Sequence, residues 1–248
     1  MSRDITALDP LAAEQRLRYG NEPSQFFDLW NASGSSLGSA VFIHGGFWRA
    51  RYDLCHASHL CAALAAAGIS TANLEYRRVG EPGGGWPGSF EDVLAGVKAA
   101  ADFFGGQPAV VGHSAGGHLA LRLAGEIAMI KGAVALAPVA DLRLAHELDL
   151  SNGAVSEFLG KNPDEAPERL RAADPRHHPP KVRTVLVHGD RDDVVPVRMS
   201  REFVRSTKSS PRPELIELPG ADHFDLIDPE SMAWPKVRDC VLELLRQG

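Results

Sequence analysis

Three kinds of side chain, far apart in this 248-residue chain, could together carry out nucleophilic acyl chemistry. Ser114 stands in Gly112-His113-Ser114-Ala115-Gly116, directly after the apolar run Ala109 to Val111 and before the helical sequence Gly117-His118-Leu119-Ala120-Leu121. A serine on a sharp strand-to-helix turn has strained backbone, and glycines two residues to either side keep side chains from clashing as the chain doubles back. The turn lifts the hydroxyl to a helix N-terminus, where the dipole and free amides favour a developing oxyanion. Serine alone is a poor nucleophile at neutral pH: it needs a base, and the base needs an acid to orient it. An ordinary glycine-rich turn is the plain alternative, so the partners decide.

Partners follow in order. His188-Gly189-Asp190-Arg191-Asp192-Asp193-Val194-Val195-Pro196 comes after the apolar run Thr184 to Val187, and Pro219-Gly220-Ala221-Asp222-His223-Phe224 comes after Glu214 to Leu218. Serine, acid, histidine is one of the known chain orders of such triads. His223 is the expected base. His113 neighbours the serine and His188 opens the acid loop, whereas His56, His59, His118, His146, His177 and His178 fall on expected helices or in an insertion. Turn chemistry leaves the acid open among Asp190, Asp192 and Asp193. His44-Gly45-Gly46-Phe47-Trp48, after the run Ala40 to Ile43, supplies the remaining part. Its glycines let backbone amides approach a carbonyl oxygen as it becomes negative, so the oxyanion donors are expected from Gly45, Gly46 or Phe47 together with Ala115. His44 is expected to brace this loop through hydrogen bonds. An imidazole accepts a proton only when neutral, so activity is expected to decline on the acid side.

These residues can meet only if the strands before them lie side by side. Short apolar runs alternate with alanine- and leucine-rich helical stretches, the pattern of a mostly parallel sheet with helices on both faces. Buried strands are expected at Ala40 to Ile43, Ala109 to Val111, Gly132 to Leu136 and Thr184 to Val187, with further strands at Phe26 to Trp30, Ile69 to Leu74 and Glu214 to Leu218. Helices are expected at His56 to Ala67, Phe90 to Phe104, Gly116 to Ala128, Arg198 to Ser206 and Trp234 to Leu245. Residues 141–180, polar and spotted with proline, interrupt the alternation and are expected to form a small cap over the carboxyl edge of the sheet, where ligands of open α/β sheets bind. The glycine-rich stretch 80–88 has neither dinucleotide-type nor P-loop spacing and reads as a surface loop.

The chain resembles the α/β-hydrolases over essentially its whole length. His188-Gly189-x-x-Asp192-x-x-Val195-Pro196 is similar to that superfamily's HGxxDxxVP acid loop, and this resemblance selects Asp192 as the acid. HGGxW at 44–48, the segment Tyr19-Gly20-Asn21-Glu22-Pro23-Ser24-Gln25-Phe26-Phe27-Asp28-Leu29-Trp30 and the GHSAGGHLA elbow resemble the kynurenine formamidase branch and neighbouring hormone-sensitive-lipase-like esterases. The resemblance implies a cofactor-independent serine hydrolase of N-formyl-kynurenine or of simple aryl and short-acyl esters. It also implies that Trp48 lines the acyl or aryl side of a substrate pocket; packing under the insertion is the alternative for so large a side chain. The lead before the first core strand is short and the insertion compact, so the resemblance bears on the machinery more than on the substrate.

Composition narrows the remaining classes. A 44% hydrophobic and 23% charged chain of this length is an ordinary single globular domain. A formal charge of −6 gives no basic stripe for nucleic acid. Cys55, Cys61 and Cys240 are too few and too scattered for a disulfide framework or a zinc site, and the histidines lack HExxH-type spacing. No metal or cofactor is expected, nor a membrane span or secretory leader, and the chain reads as cytoplasmic, a monomer or homodimer acting on a small molecule. A non-catalytic ligand-binding member of the fold is the competing class, disfavoured because serine, histidine and oxyanion glycines are all present.

Overall fold

The computed structural model describes residues 4–246. Eight strands form one sheet: β1 (Gln15–Arg18), β2 (Phe26–Trp30), β3 (Gly38–Ile43), β4 (Ile69–Leu74), β5 (Ala109–His113), β6 (Gly132–Leu136), β7 (Thr184–Gly189) and β8 (Glu214–Leu218). Their order is β1-β2-β4-β3-β5-β6-β7-β8. β2 runs antiparallel to both neighbours, and the pairs from β4 to β8 are parallel. The helices are α1 (Ser58–Ala66), α2 (Gly88–Phe104), α3 (Ala115–Ala124), α4 (Leu142–Glu147), α5 (Ala154–Leu159), α6 (Pro167–Ala173), α7 (Arg198–Ser206) and α8 (Trp234–Arg246).

Both faces of the sheet are buried, and the pleat divides each strand between two cores. In β3, Val41 and Ile43 join one core with Val97, Leu119 and Phe158, while Ala40 and Phe42 join the other with Leu60, Leu64, Val241 and Leu244. Burial on both sides is why these strands read as continuous apolar runs. β1 was not foreseen. Its Gln15-Arg16-Leu17-Arg18 is a mostly exposed edge strand whose arginines look like loop sequence and suit an edge that must not pair further. Two expected helices also end differently. Asp53 caps a 3-10 turn over Leu54–Ala57 through the Cys55 amide, so His56 lies outside α1. α3 stops at Ala124, and glycine follows at 125, where a Cβ would stand 2.3 Å from the His178 carbonyl oxygen.

Within residues 141–180 the chain folds as α4, α5 and α6, helices too short to show a repeat in sequence. Their buried Leu142, Val155, Phe158, Leu159 and Leu170 belong to the same core as α3. Two side chains of α3 grip α6 directly: Arg122 Nε donates to the Ala172 carbonyl at 3.0 Å, and His118 Nε2 donates to that of Ala173 at 3.0 Å. A ring nitrogen facing a carbonyl must carry the proton.

Burial drives the His118 pKa down to about 3, so its ring is neutral in the fold. An imidazole in the unfolded chain titrates near 6.5, so the unfolded state binds the extra proton, and the stabilisation is full above about pH 6.5 and lost as pH falls toward 3. Urea unfolding between pH 6.5 and 4 should therefore show stability falling with acidity, about 1.4 kcal/mol per pH unit for each histidine buried this way. His118→Gln should lower that slope by about one proton. An unchanged slope would show that His118 titrates normally.

Candidate active site

The carboxyl ends of β3, β5, β7 and β8 deliver the chemistry-bearing loops to one place. At the end of β5 the backbone of Ser114 adopts φ 56°, ψ −117° and leads straight into α3. This conformation is costly for a residue with a Cβ, and the surroundings fix it. The Ser114 amide donates to the Leu136 carbonyl at 2.8 Å, and its own carbonyl accepts from His118 and Val139 at 3.0 and 3.2 Å. Glycine is required beside it for space: a Cβ at Gly112 would lie 2.2 Å from the Gly116 carbonyl oxygen, and one at Gly116 would lie 2.0 Å from that of Ile43.

The loop after β7 brings Asp192 to His223. The Asp192 side chain is buried; its Oδ2 accepts from His223 Nδ1 at 2.7 Å, and its Oδ1 accepts from the Val194 and Val195 amides at 2.9 and 2.7 Å. His188 Nε2 lies 3.2 Å from Oδ2, while His188 Nδ1 meets Ser200 Oγ at 2.7 Å. Burial alone would raise the Asp192 pKa. Hydrogen bonds from His188 and His223, with the Val195 amide, outweigh it and hold the carboxyl far below the usual range. The other two acids go elsewhere: Asp190 accepts from the Gly220 amide at 2.7 Å, pinning the two loops together, and Asp193 is exposed. His113 braces His223, its Nε2 donating to the His223 carbonyl at 3.0 Å with ring centroids 4.5 Å apart. Burial, reinforced by the neighbouring His223, keeps its ring neutral.

The loop after β3 lies against the serine, with a Cβ at Gly45 only 3.0 Å from Ser114 Cβ. Gly46, Phe47 and Trp48 have φ of 104°, 48° and 58°, a run of left-handed residues that turns the backbone sharply. The Val79 amide donates to the Trp48 carbonyl at 2.7 Å and the Arg49 amide to that of Gly46 at 3.1 Å. Underneath, His44 Nε2 meets buried Glu75 at 2.9 Å, Tyr76 Oη donates to the His44 carbonyl at 3.1 Å, and Glu75 Oε2 accepts from the Leu54 amide at 3.1 Å. Sequence reasoning missed Glu75 and Tyr76. Their signal was a charged residue directly after the apolar run Ile69 to Leu74, at a strand end of the same sheet.

Ser114, His223, Gly46 and Phe47 share the wall of a cavity of about 580 Å³, closed elsewhere by Tyr52, His56, Val194 and Phe224. A larger depression of about 900 Å³ around Asp225 and Glu230 contains neither Ser114 nor His223. The expectation that Trp48 lines the pocket requires correction. Trp48 is fully buried, stacked on Phe158 of α5 at 4.4 Å and edge-on to His118 at 5.2 Å, and is absent from the cavity wall. Its left-handed backbone turns the indole under the insertion, leaving the cavity to its neighbour Phe47. Tyr52, His56 and, from the insertion, Ser151 line the cavity without belonging to any motif. Among the described residues no group of three or more His, Cys, Asp or Glu side chains is placed to hold a metal ion, and no helix is long and apolar enough to cross a membrane.

An elbow serine, a histidine bonded to a loop acid and a glycine-rich loop, all at the carboxyl edge of a mostly parallel eight-stranded sheet, define an α/β-hydrolase fold. The BD-FAE family model matches residues 29–206, and the chain belongs to that family. It is 30% identical over 256 residues to the esterase LipC of Mycobacterium tuberculosis, covering 86% of this chain and 60% of LipC. A second similarity, 26% over 114 residues, is to a kynurenine formamidase of Meyerozyma guilliermondii, covering 46% of this chain and 43% of that protein. The chain thus spans less than two thirds of the length of either relative. Among solved structures, a truncated carbohydrate esterase from gut microbiota superposes with a TM-score of 0.79 at 19% identity, covering 97% of this chain and all of that one.

Proposed function

We propose that the protein is a carboxylesterase-type serine hydrolase acting on small esters. The observation that carries this reading is the 2.7 Å bond from His223 Nδ1 to buried Asp192, made at the wall of the cavity that also holds Ser114 and Gly46. With Nδ1 committed to the carboxylate, Nε2 is the basic nitrogen. In the proposed cycle Ser114 Oγ attacks the substrate carbonyl and gives its proton to His223 Nε2. Asp192 supports the imidazolium, and amides of the 45–47 loop and of Ala115 take up the charge on the carbonyl oxygen. The imidazolium then protonates the departing alkoxide, and water, deprotonated by the same histidine, releases the acyl group from Ser114. Helix geometry supports Ala115 as a donor, because amides in a first turn have no intrahelical acceptor.

The similarity to LipC supports an ester over a formamide as substrate, and residues 141–180 serve in this reading as a compact cap. A cavity of about 580 Å³ suits a short acyl group with a modest leaving group. Rates on p-nitrophenyl acetate, butyrate and octanoate and on N-formyl-kynurenine test both points. Acetate or butyrate should give the highest kcat/KM, with octanoate at least about tenfold lower. A kcat/KM highest on N-formyl-kynurenine would replace the ester reading with the formamidase one.

A further inference from the structure

Beyond the oxyanion loop the cavity carries an arginine that has no ion-pair partner among the described residues. Arg51 and Tyr52 both line it. Tyr52 lies against the loop itself, since a Cβ at Gly46 would stand 2.5 Å from Tyr52 Cβ, and the residue is 39% exposed. The Arg51 guanidinium stands over this ring, 4.8 Å from its centroid. Nearby arginines are committed: Arg49 to Glu157, Arg77 to Asp92, and Arg78 to Glu75 and Glu81. Among the described residues no carboxylate pairs with Arg51, and its guanidinium makes no hydrogen bond.

The other titratable groups of that wall do not answer this charge. Asp53 keeps its negative charge but turns its carboxylate to the 3-10 turn, accepting the Cys55 amide at 2.9 Å, and makes no ion pair with Arg51. His56 is neutral at physiological pH, its pKa driven down to about 4 by burial and by His44, and burial pushes the Cys55 thiol up to about 11. His113 is neutral, and the Asp192 charge is spent on His223 and His188. A cation in a chain of net charge −6, one aromatic ring from the oxyanion loop, is a poor fit to a neutral substrate alone. Guanidinium and tyrosine ring together match an aromatic carboxylate, the ring stacking on Tyr52 and the carboxylate meeting the planar donors of Arg51.

We propose that Arg51 and Tyr52 form a recognition site for a carboxylate borne on an aromatic part of the substrate, so that the enzyme prefers anionic aryl esters to their neutral isosteres. The proposal rests on the serine-hydrolase reading above, and the test separates the two. Matched substrates differ in charge at nearly equal size, each rate being taken relative to its hydroxide-catalysed rate: 3- and 4-acetoxybenzoate against 3- and 4-acetoxybenzamide for the leaving side, and phenyl hemiterephthalate against its primary amide for the acyl side. In at least one of these series the wild type should favour the carboxylate about five- to tenfold in kcat/KM, mainly through KM, and added salt should shrink the preference. Arg51→Gln should bring the ratio to one or below, the net negative charge of the chain then opposing the anion, whereas Arg51→Lys should keep part of it. An exposed position makes both variants safe for folding. Equal kcat/KM for carboxylate and amide in every series, or a ratio untouched by Arg51→Gln, would overturn the assignment while leaving the hydrolase reading intact. No hydrolysis of any of them, with no labelling of Ser114 by a fluorophosphonate, would overturn the hydrolase reading and the assignment with it.

Discussion

Replacing Ser114 with alanine should reduce hydrolysis of p-nitrophenyl acetate to near background, a loss of about 10⁴- to 10⁶-fold in kcat. The size follows from the proposed mechanism, since no acyl-enzyme can form without the hydroxyl and only binding and the oxyanion donors remain. The fold should be indifferent. Alanine keeps the Cβ, and the φ of 56° is imposed by backbone bonds to Leu136, His118 and Val139 that do not involve the serine hydroxyl. A urea midpoint close to that of the wild type, beside lost activity and lost fluorophosphonate labelling, would separate chemistry from stability. Unchanged turnover would mean that Ser114 is not the nucleophile.

Asp192→Asn should be nearly as damaging, about 10⁴-fold in kcat. Asparagine can still accept the Val194 and Val195 amides, so the loop keeps its shape, but the atom facing His223 then has a choice of roles. An amide nitrogen there donates to Nδ1, which forces the imidazole proton onto Nε2 and leaves Ser114 without a base. The acid limb of stability should change as well. A carboxyl held far below its usual range stabilises the fold fully above its unfolded pKa, about 4, and that contribution is lost as pH falls below it. Urea unfolding at pH 5 and pH 3 should therefore show a smaller loss of stability in the variant than in the wild type. Asp190→Asn is the control, because Asp190 holds the Gly220 amide from an exposed position and should matter only a few-fold. Equal damage from the two variants would remove Asp192 from its proposed role.

What could be read from the sequence divides along physical lines. Buried parallel strands must be apolar on both faces, so β3, β5, β6 and β7 announce themselves, and the glycine-bearing loops at their carboxyl ends follow by adjacency. That is why Ser114, the acid loop 190–193 and Gly45 to Phe47 could be placed at one sheet edge before their distances were known, whereas Asp192 was singled out within its loop only by resemblance to a known motif, and His223 by its place after the weaker strand β8. Trp48 shows where this logic stops. A tryptophan suits a pocket wall and a core equally, and only the placement of Phe158, 110 residues later, decides between them. The far wall of the cavity was illegible for another reason. His56 lies in the capped turn Leu54–Ala57, where a helix was expected, and Arg51 and Tyr52 lie just before it in irregular chain with no repeat and no motif. β1 was lost because an edge strand protected by charge carries no apolar alternation.

The insertion is held at both ends of the reaction centre. Arg49, next to the 45–48 loop, binds Glu157, Ser151 and the Asn152 carbonyl, and Trp48 stacks on Phe158. On the opposite side His118 and Arg122 clasp α6 from the helix that begins after Ser114. Residues 141–180 are therefore wedged like a keystone between the helix that follows Ser114 and the 45–48 loop that faces it. In the proposed reading, a change of length there would pull on the serine and on the facing loop at once, so that substrate range and turnover would depend on the same few contacts.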